Sequence, residues 1–159
     1  MAMVKNGSRT EDYVREIVNR GYPIHFETVC QLMAPLYGSP KVTARVRGLV
    51  ESGLYFLQNE VDRREDFLYP KEYTQIPVYL PNDRKIQLIS QDELMAAMRR
   101  ILACRVGFDR KGLTDETTRV FGYARAGSNI TAAMNRAIDT LIASGEVGET
   151  EGRLRLCRD

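Results

Sequence analysis

The stretch "GYARAGSN", residues 122–129, is the part of the sequence whose spacing comes nearest to a known chemistry. It reads G-x-x-x-x-G-S-N, close to the G-x-x-x-x-G-K-[ST] loop that cradles nucleotide phosphates on its backbone amides. That chemistry needs a buried strand before the loop, a lysine that reaches the terminal phosphates and a hydroxyl for the metal. Here the preceding "LTDETTRVF" is polar and helix-spaced, Ser128 stands at the lysine position and Asn129 at the hydroxyl position. The stretch reads instead as the end of one helix, a turn and the start of another. Gly122 then supplies the left-handed residue of a helix C-terminus, and Ser128 is expected to cap the next helix.

Other reactive residues are sparse. His25 is the sole histidine, and Glu27 and Cys30 are its nearest partners along the chain. A histidine at the start of a helix is expected to bond to backbone rather than to a metal. The three cysteines, Cys30, Cys104 and Cys157, form no C-x-x-C pair, so neither a disulfide framework nor a zinc site is indicated. Carboxylates are scattered over polar faces, which leaves general acid–base catalysis without a seat. No catalytic residue, metal or cofactor is expected, and the chain reads as a non-enzyme.

The basic residues are placed more tellingly. From Thr28 to Val50 there is no acidic residue, while Lys41, Arg45 and Arg47 are present. From Thr117 to Ile138 there is again none, while Arg119, Arg125 and Arg136 are present. Both windows cover a turn and the first half of the helix after it, the part of a helix-turn-helix that enters a DNA groove. Lys41 and Arg125 occupy equivalent turn positions, suited to phosphates near a helix N-terminus. Arg63 and Arg64 fall in a hairpin that could meet the adjacent backbone. The matching second hairpin carries Glu146, Glu149 and Glu151, which would repel DNA.

Those equivalences come from an internal repeat. Shifting the chain by 84 residues pairs Ile17 with Ile101, Val29 with Leu113, Tyr37-Gly38 with Phe121-Gly122, and Val46, Val50, Leu54 and Leu57 with Ile130, Met134, Ile138 and Leu141. Two further residues in the second copy then bring residues 60–70 onto 146–156. Each copy predicts three helices followed by a hairpin. The first helix spans about 10–20 or 91–104, the latter opened by a capping box of Ser90 and Glu93. The second is "HFETVCQLMAPLY", with Val29, Leu32, Met33 and Leu36 inward and Pro35 ending it early, or "RKGLTDETTRVF", capped by Asp109. The third runs to about Asn59 or Ser144, with Gly48 and Gly53 predicting irregularity in the first copy. The hairpins lie around Val61 and 67–69, and around Val147 and 154–156. The fold class expected is mainly α with short β-hairpins, a tandem winged-helix (helix-turn-helix) repeat. Its domains are 10–70 and 90–157, joined by an ordered connector, 71–89, with some strand character.

The stretches "YPIHFETV", "LYGSPKVTARV" and "RREDFLYP" carry a resemblance. They are similar to a bacterial domain of unknown function near the C-terminus of large superfamily 1 helicase-like proteins, some of which also carry a very-short-patch-repair-type nuclease domain. Pro23-Ile24-His25, Gly127-Ser128-Asn129-Ile130 and Asp66-Phe67-Leu68-Tyr69-Pro70 stand at that family's motif positions. Asn129 replaces the usual arginine, and Thr43-Ala44 replaces Gly-Ser in the first copy. The resemblance implies a non-catalytic accessory module of a nucleic-acid-processing protein.

Composition sets the outer bounds. The 159 residues are 43% apolar and 28% charged, with net charge +2, so any electrostatic attraction must be local. No apolar run reaches the roughly 18 residues of a membrane span. The first residues, "MAMVKNGSRTEDY", lack the apolar core of a secretory signal, and a cytoplasmic location is expected. Duplex DNA is then the expected partner, through Lys41, Arg45, Arg47, Arg63, Arg64, Arg125, Ser128, Asn129 and Arg136. Docking onto the rest of a helicase-like protein, or self-association, is the alternative.

Overall fold

The computed structural model describes residues 9–157, so residues 1–8 of the secretory-signal reading lie outside the described residues. The chain is mixed α/β. It divides into two compact units, one up to Gln75 and one from Ile76. Among the described residues, no helix is long and apolar enough to cross a membrane.

In the first unit, α1 (Thr10–Gly21) leads into a short strand, β1 (Ile24–His25), then α2 (Phe26–Met33) and α3 (Ala44–Phe56). A hairpin of β2 (Val61–Arg64) and β3 (Phe67–Pro70) closes the unit. His25 begins α2 by accepting the Glu27 backbone N–H on Nδ1 at 3.0 Å, the backbone role expected of it. Pro35 cannot continue the α-helical hydrogen bonding, so α2 ends at Met33 and passes into a 3-10 turn, Ala34–Tyr37. Gly38 stops that turn in the left-handed region at φ 73°. Val14, Val18, Val29, Cys30, Met33, Val46, Val50, Leu57 and Leu68 form the centre of the core. Leu32, expected inward, is 40% exposed, because α2 buries Val29, Cys30 and Met33 instead.

The second unit holds α4 (Gln91–Cys104), α5 (Arg110–Val120), α6 (Ser128–Ala143), β4 (Val147–Thr150) and β5 (Arg153–Leu156). Asp109 caps α5 by accepting the Gly112 N–H at 2.7 Å. Gly122 adopts φ 81° at the position of Gly38. Leu94, Met98, Leu113, Phe121, Met134, Ile138, Leu141 and Leu154 centre its core.

The 84-residue offset recurs in individual bonds, one unit against the other. Gly38 N–H donates to Pro35 O and Ser39 N–H to Ala34 O; Gly122 N–H donates to Arg119 O and Tyr123 N–H to Thr118 O. With the two-residue insertion, the hairpin registers coincide, Val61 opposite Pro70 and Val147 opposite Leu156. The pairing of Ile24 with Leu68, absent from the sequence reading because two residues give no periodicity, maps onto an isolated bridge between Phe108 and Leu154. Even an ion pair is duplicated. Arg15 Nε lies 3.0 Å from Glu60 Oε1, and Arg99 Nε lies 3.0 Å from Glu146 Oε2.

Three expectations need correction. The third helix of the first unit is regular and ends at Phe56, short of Asn59. Gly53 is not a defect in it: a Cβ placed there would meet Thr10 Cγ2 and Val14 Cγ2 at 3.3 Å, so the glycine lets α3 lie close on α1. No strand forms in 71–89; residues 71–75 belong with the first unit and 76–89 with the second. The latter segment is held by a buried ion pair rather than by a ladder. Arg84 donates to Glu93 Oε1 at 2.8 Å and to Oε2 at 2.7 Å, with the Glu93 side chain fully buried. Tyr79 N–H also donates to Glu93 Oε2, at 3.0 Å. Only one side of the predicted capping box is therefore clear: Glu93 N–H donates to Ser90 Oγ at 3.0 Å, while the carboxylate serves Arg84 and Tyr79.

Three expectations for stability follow. Gly48 faces open space, so Gly48→Ala should raise the unfolding free energy by about 0.5–1 kcal/mol through helix propensity. Gly53→Ala should lower it by about 1–3 kcal/mol, since overpacking outweighs the same propensity gain. Arg84→Met, which strands a buried carboxylate, should cost about 3–5 kcal/mol, and adding Glu93→Leu should recover most of it. Urea unfolding of the single and double variants measures all three.

Candidate nucleic-acid interface

The turn and the start of α3 are built by local bonds. Ser39 Oγ donates to Lys41 O at 2.6 Å, which shapes the turn. Thr43 Oγ1 accepts the Val46 N–H at 3.2 Å, so threonine does the capping that Gly-Ser would not. Lys41 and Arg45 are exposed here, and among the described residues neither forms an ion pair. Arg45 lies 5.9 Å from the Tyr37 ring centre, at the outer limit of a cation–π contact.

Arg47 is differently placed. Its Nε and Nη2 donate to the two carboxylate oxygens of Glu27 at 2.7 and 3.2 Å. Glu27 sits one residue before the acid-free window and is returned to it by the packing of α2 on α3. The hydrogen bonds from Arg47 hold the Glu27 carboxyl below the usual glutamate range. Because folding lowers that pKa, the link contributes above the ordinary glutamate value and fades as pH falls through the lowered one.

The first hairpin folds its cations back in the same way. Arg63 donates to Glu51 at 2.6 Å and to Asp66 at 3.1 Å, with its guanidinium 4.5 Å from the Phe26 ring centre. Glu51 is the acid just after the window. Arg64 lies on the opposite sheet face, 3.7 Å from the Tyr69 ring centre, and donates to Tyr73 Oη at 2.8 Å. Tyr22 and Tyr73 pack 5.4 Å apart beside it, which covers that face.

In the second unit Arg125 is exposed in the turn and forms no ion pair among the described residues. Ser128, expected to be the cap, is instead the first residue of α6; Gly127 is the cap and brings no side chain. Asn129 and Arg136 are exposed on α6. Arg119 pairs with Glu116 on its own helix. The acids of the second hairpin are partly spoken for: Glu146 by Arg99 at 2.8 Å, and Glu149 by Arg110 at 4.0 Å. Arg110 also bonds Asp139.

The sequence reading missed three arginines of this unit. Arg153 and Arg155 alternate with Leu154 and Leu156 along β5, exposed against buried and half-buried. The R-L-R-L alternation was the available signal, and its period of two puts both arginines on one face. Arg105 lies in the segment before α5, its guanidinium 5.1 Å from the Phe108 ring centre.

Among the described residues no three His, Cys, Asp or Glu side chains gather in a way that could hold a metal ion. Burial pushes the Cys30 thiol up to about 11, whereas Cys104 and Cys157 are exposed. A thiol titration with Ellman's reagent at mildly alkaline pH should therefore count two reactive cysteines in the native protein, and the third only after unfolding. No protein-family model, no curated protein and no solved structure matches this chain.

Proposed function

We propose that the protein is a non-catalytic module that contacts duplex DNA through the turn and third helix of a winged-helix unit, the unit being present twice. The fold reading is supported by the element order of the first unit. A strand from between the first two helices joins the hairpin as β1-β3-β2, the arrangement expected when a wing packs beside a helix-turn-helix. The observation that carries the DNA reading is the pair Lys41 and Arg45, exposed at the start of α3 with no acid bound to either among the described residues. Arg125 repeats Lys41 in the second unit.

The charge arrangement divides the candidate residues by role. Lys41, Arg45 and Arg125 are available to phosphates at once. Arg47 and Arg63 must first leave Glu27 and Glu51, so they act only where phosphate outcompetes a carboxylate. Arg64 is committed to tyrosines. The resemblance to helicase-associated domains suggests the setting, an accessory part of a nucleic-acid-processing protein in the cytoplasm.

A second reading, docking or self-association, has one observation behind it. Tyr55 and Phe56 are 68% and 69% exposed at the end of α3, their ring centres 5.9 Å apart. Sedimentation of the wild type and of Tyr55→Ser with Phe56→Ser separates the readings, since only an assembly built on these rings would dissociate in the variant.

For the DNA reading, fluorescence anisotropy with a short labelled duplex at low salt is the measurement. Lys41→Gln with Arg45→Gln should make the dependence of log affinity on log salt shallower by about 2. Glu27→Gln should tighten binding by releasing Arg47. Affinity indifferent to the first pair of substitutions would sink the proposal.

A further inference from the structure

The two units have the same hairpin in the same register, yet they treat its outer face in opposite ways. In the first unit that face carries Arg64, Phe67 and Tyr69. Tyr22 and Tyr73 pack over it, and Tyr69 is only 3% exposed. In the second unit the equivalent positions of β5 are Arg153 and Arg155, and both are exposed. Their cross-strand partners are Thr150 and Gly148, neither charged. Arg153 Nη1 donates to Gly107 O at 2.5 Å, which draws the segment bearing Arg105 to the same sheet. The bridge between Phe108 and Leu154 fixes that approach.

None of these three arginines forms an ion pair among the described residues. The hairpin's own acids do not compensate for them. Glu149 alternates to the other face, where it approaches Arg110, and Glu146 is held by Arg99. Asp109, next to Phe108, turns its carboxylate to the N–H of Gly112. Glu151 sits in the hairpin turn at φ 53° and forms no ion pair among the described residues. What is left is a sheet face with the guanidinium groups of Arg153 and Arg155 and small neutral neighbours. Guanidinium forks suit phosphate oxygens, and a row of cations along a strand suits a repeating polyanion better than a single small anion.

We propose that the outer face of the β4–β5 hairpin, through Arg153 and Arg155, is a contact surface for the phosphate backbone of duplex DNA. The second unit then engages DNA by its sheet, and the first by the start of its third helix. This rests on the nucleic-acid reading above, but it does not depend on α3.

The test compares Arg153→Gln with Arg155→Gln against Lys41→Gln with Arg45→Gln in the full chain, using a short fluorescein-labelled duplex over a salt series. The β5 substitutions should weaken binding at every duplex sequence tried and make the salt dependence shallower by about 2. Arginine-to-lysine changes at the same positions should restore the slope. An unchanged slope and affinity in a β5 variant that melts like the wild type overturns the sheet-face proposal, whatever the Lys41 and Arg45 variant does. Loss in the β5 variant alone upholds the sheet face and overturns the third-helix contact. Absence of duplex binding by the wild type at low salt overturns both. If the double variant does not fold, Arg155→Gln alone decides, with a slope shallower by about 1 as the supporting result.

Discussion

In the first unit the position of α3 depends on how closely it can lie on α1. At Gly53 a Cβ would crowd the methyl groups of Thr10 and Val14 at 3.3 Å. Thr10 also bonds Tyr37 across the same junction, which joins the end of the second helix to the first. With α3 seated, Val46, Val50 and Leu57 enter the core together with Leu68 of the hairpin, and the start of α3 stays exposed. The second unit uses Ala137 where the first has Gly53, also with no exposed surface. One methyl group is the tolerance within which both copies reach the same arrangement. A larger residue would push the third helix outward and carry the turn and the hairpin with it.

Around that shared frame the two copies have exchanged their charges. Phe26 and Glu27 at the start of α2 correspond to Arg110 and Lys111 at the start of α5. Arg63 on the first hairpin corresponds to Glu149 on the second, and Glu51 on α3 to Asn135 on α6. In both units a cation is tied between the second helix, the third helix and the hairpin, but it comes from the hairpin in one and from the helix in the other. A frame fixed by apolar contacts tolerates such exchanges, because surface ion pairs add little stability of their own. The consequence is electrostatic: the copies present different surfaces although they fold alike. A contact surface need not therefore sit at the same place in each.

Much of the architecture was legible because it rests on local chemistry. Apolar spacing marked the helices. Pro35, Gly38, Gly122 and Asp109 marked their ends, and His25 took the backbone role that a helix start offers. These features need only residues within a few positions of each other. The short β1 strand, the buried status of Gly53 and the path of 76–89 were not legible. Each depends on a partner distant along the chain: Leu68 for Ile24, Thr10 and Val14 for Gly53, and Glu93 with Phe121 for the segment holding Asn82 and Arg84. The valine, tyrosine and leucine of that segment favour strands, but the backbone of Tyr79 is bonded by the side chains of Glu93 and Arg84 instead of by a ladder.

The candidate interface shows the same division most sharply. The sequence alone determined where cations are concentrated, that acids are missing from two long windows, and that the two windows are equivalent. It also marked residues 122–129 as a turn between two helices, with Gly122 in the left-handed region. Only the tertiary structure decided which cations remain available. Glu27 and Glu51 lie just outside the first window along the chain, yet folding sets them against Arg47 and Arg63. Folding equally left Arg153 and Arg155 exposed, with no ion pair among the described residues, on a strand whose neighbouring acids seemed to rule it out. The physical reason is range: helix signals act over one or two turns of backbone, whereas charge acts through space, between groups that the chain brings together only once it is folded.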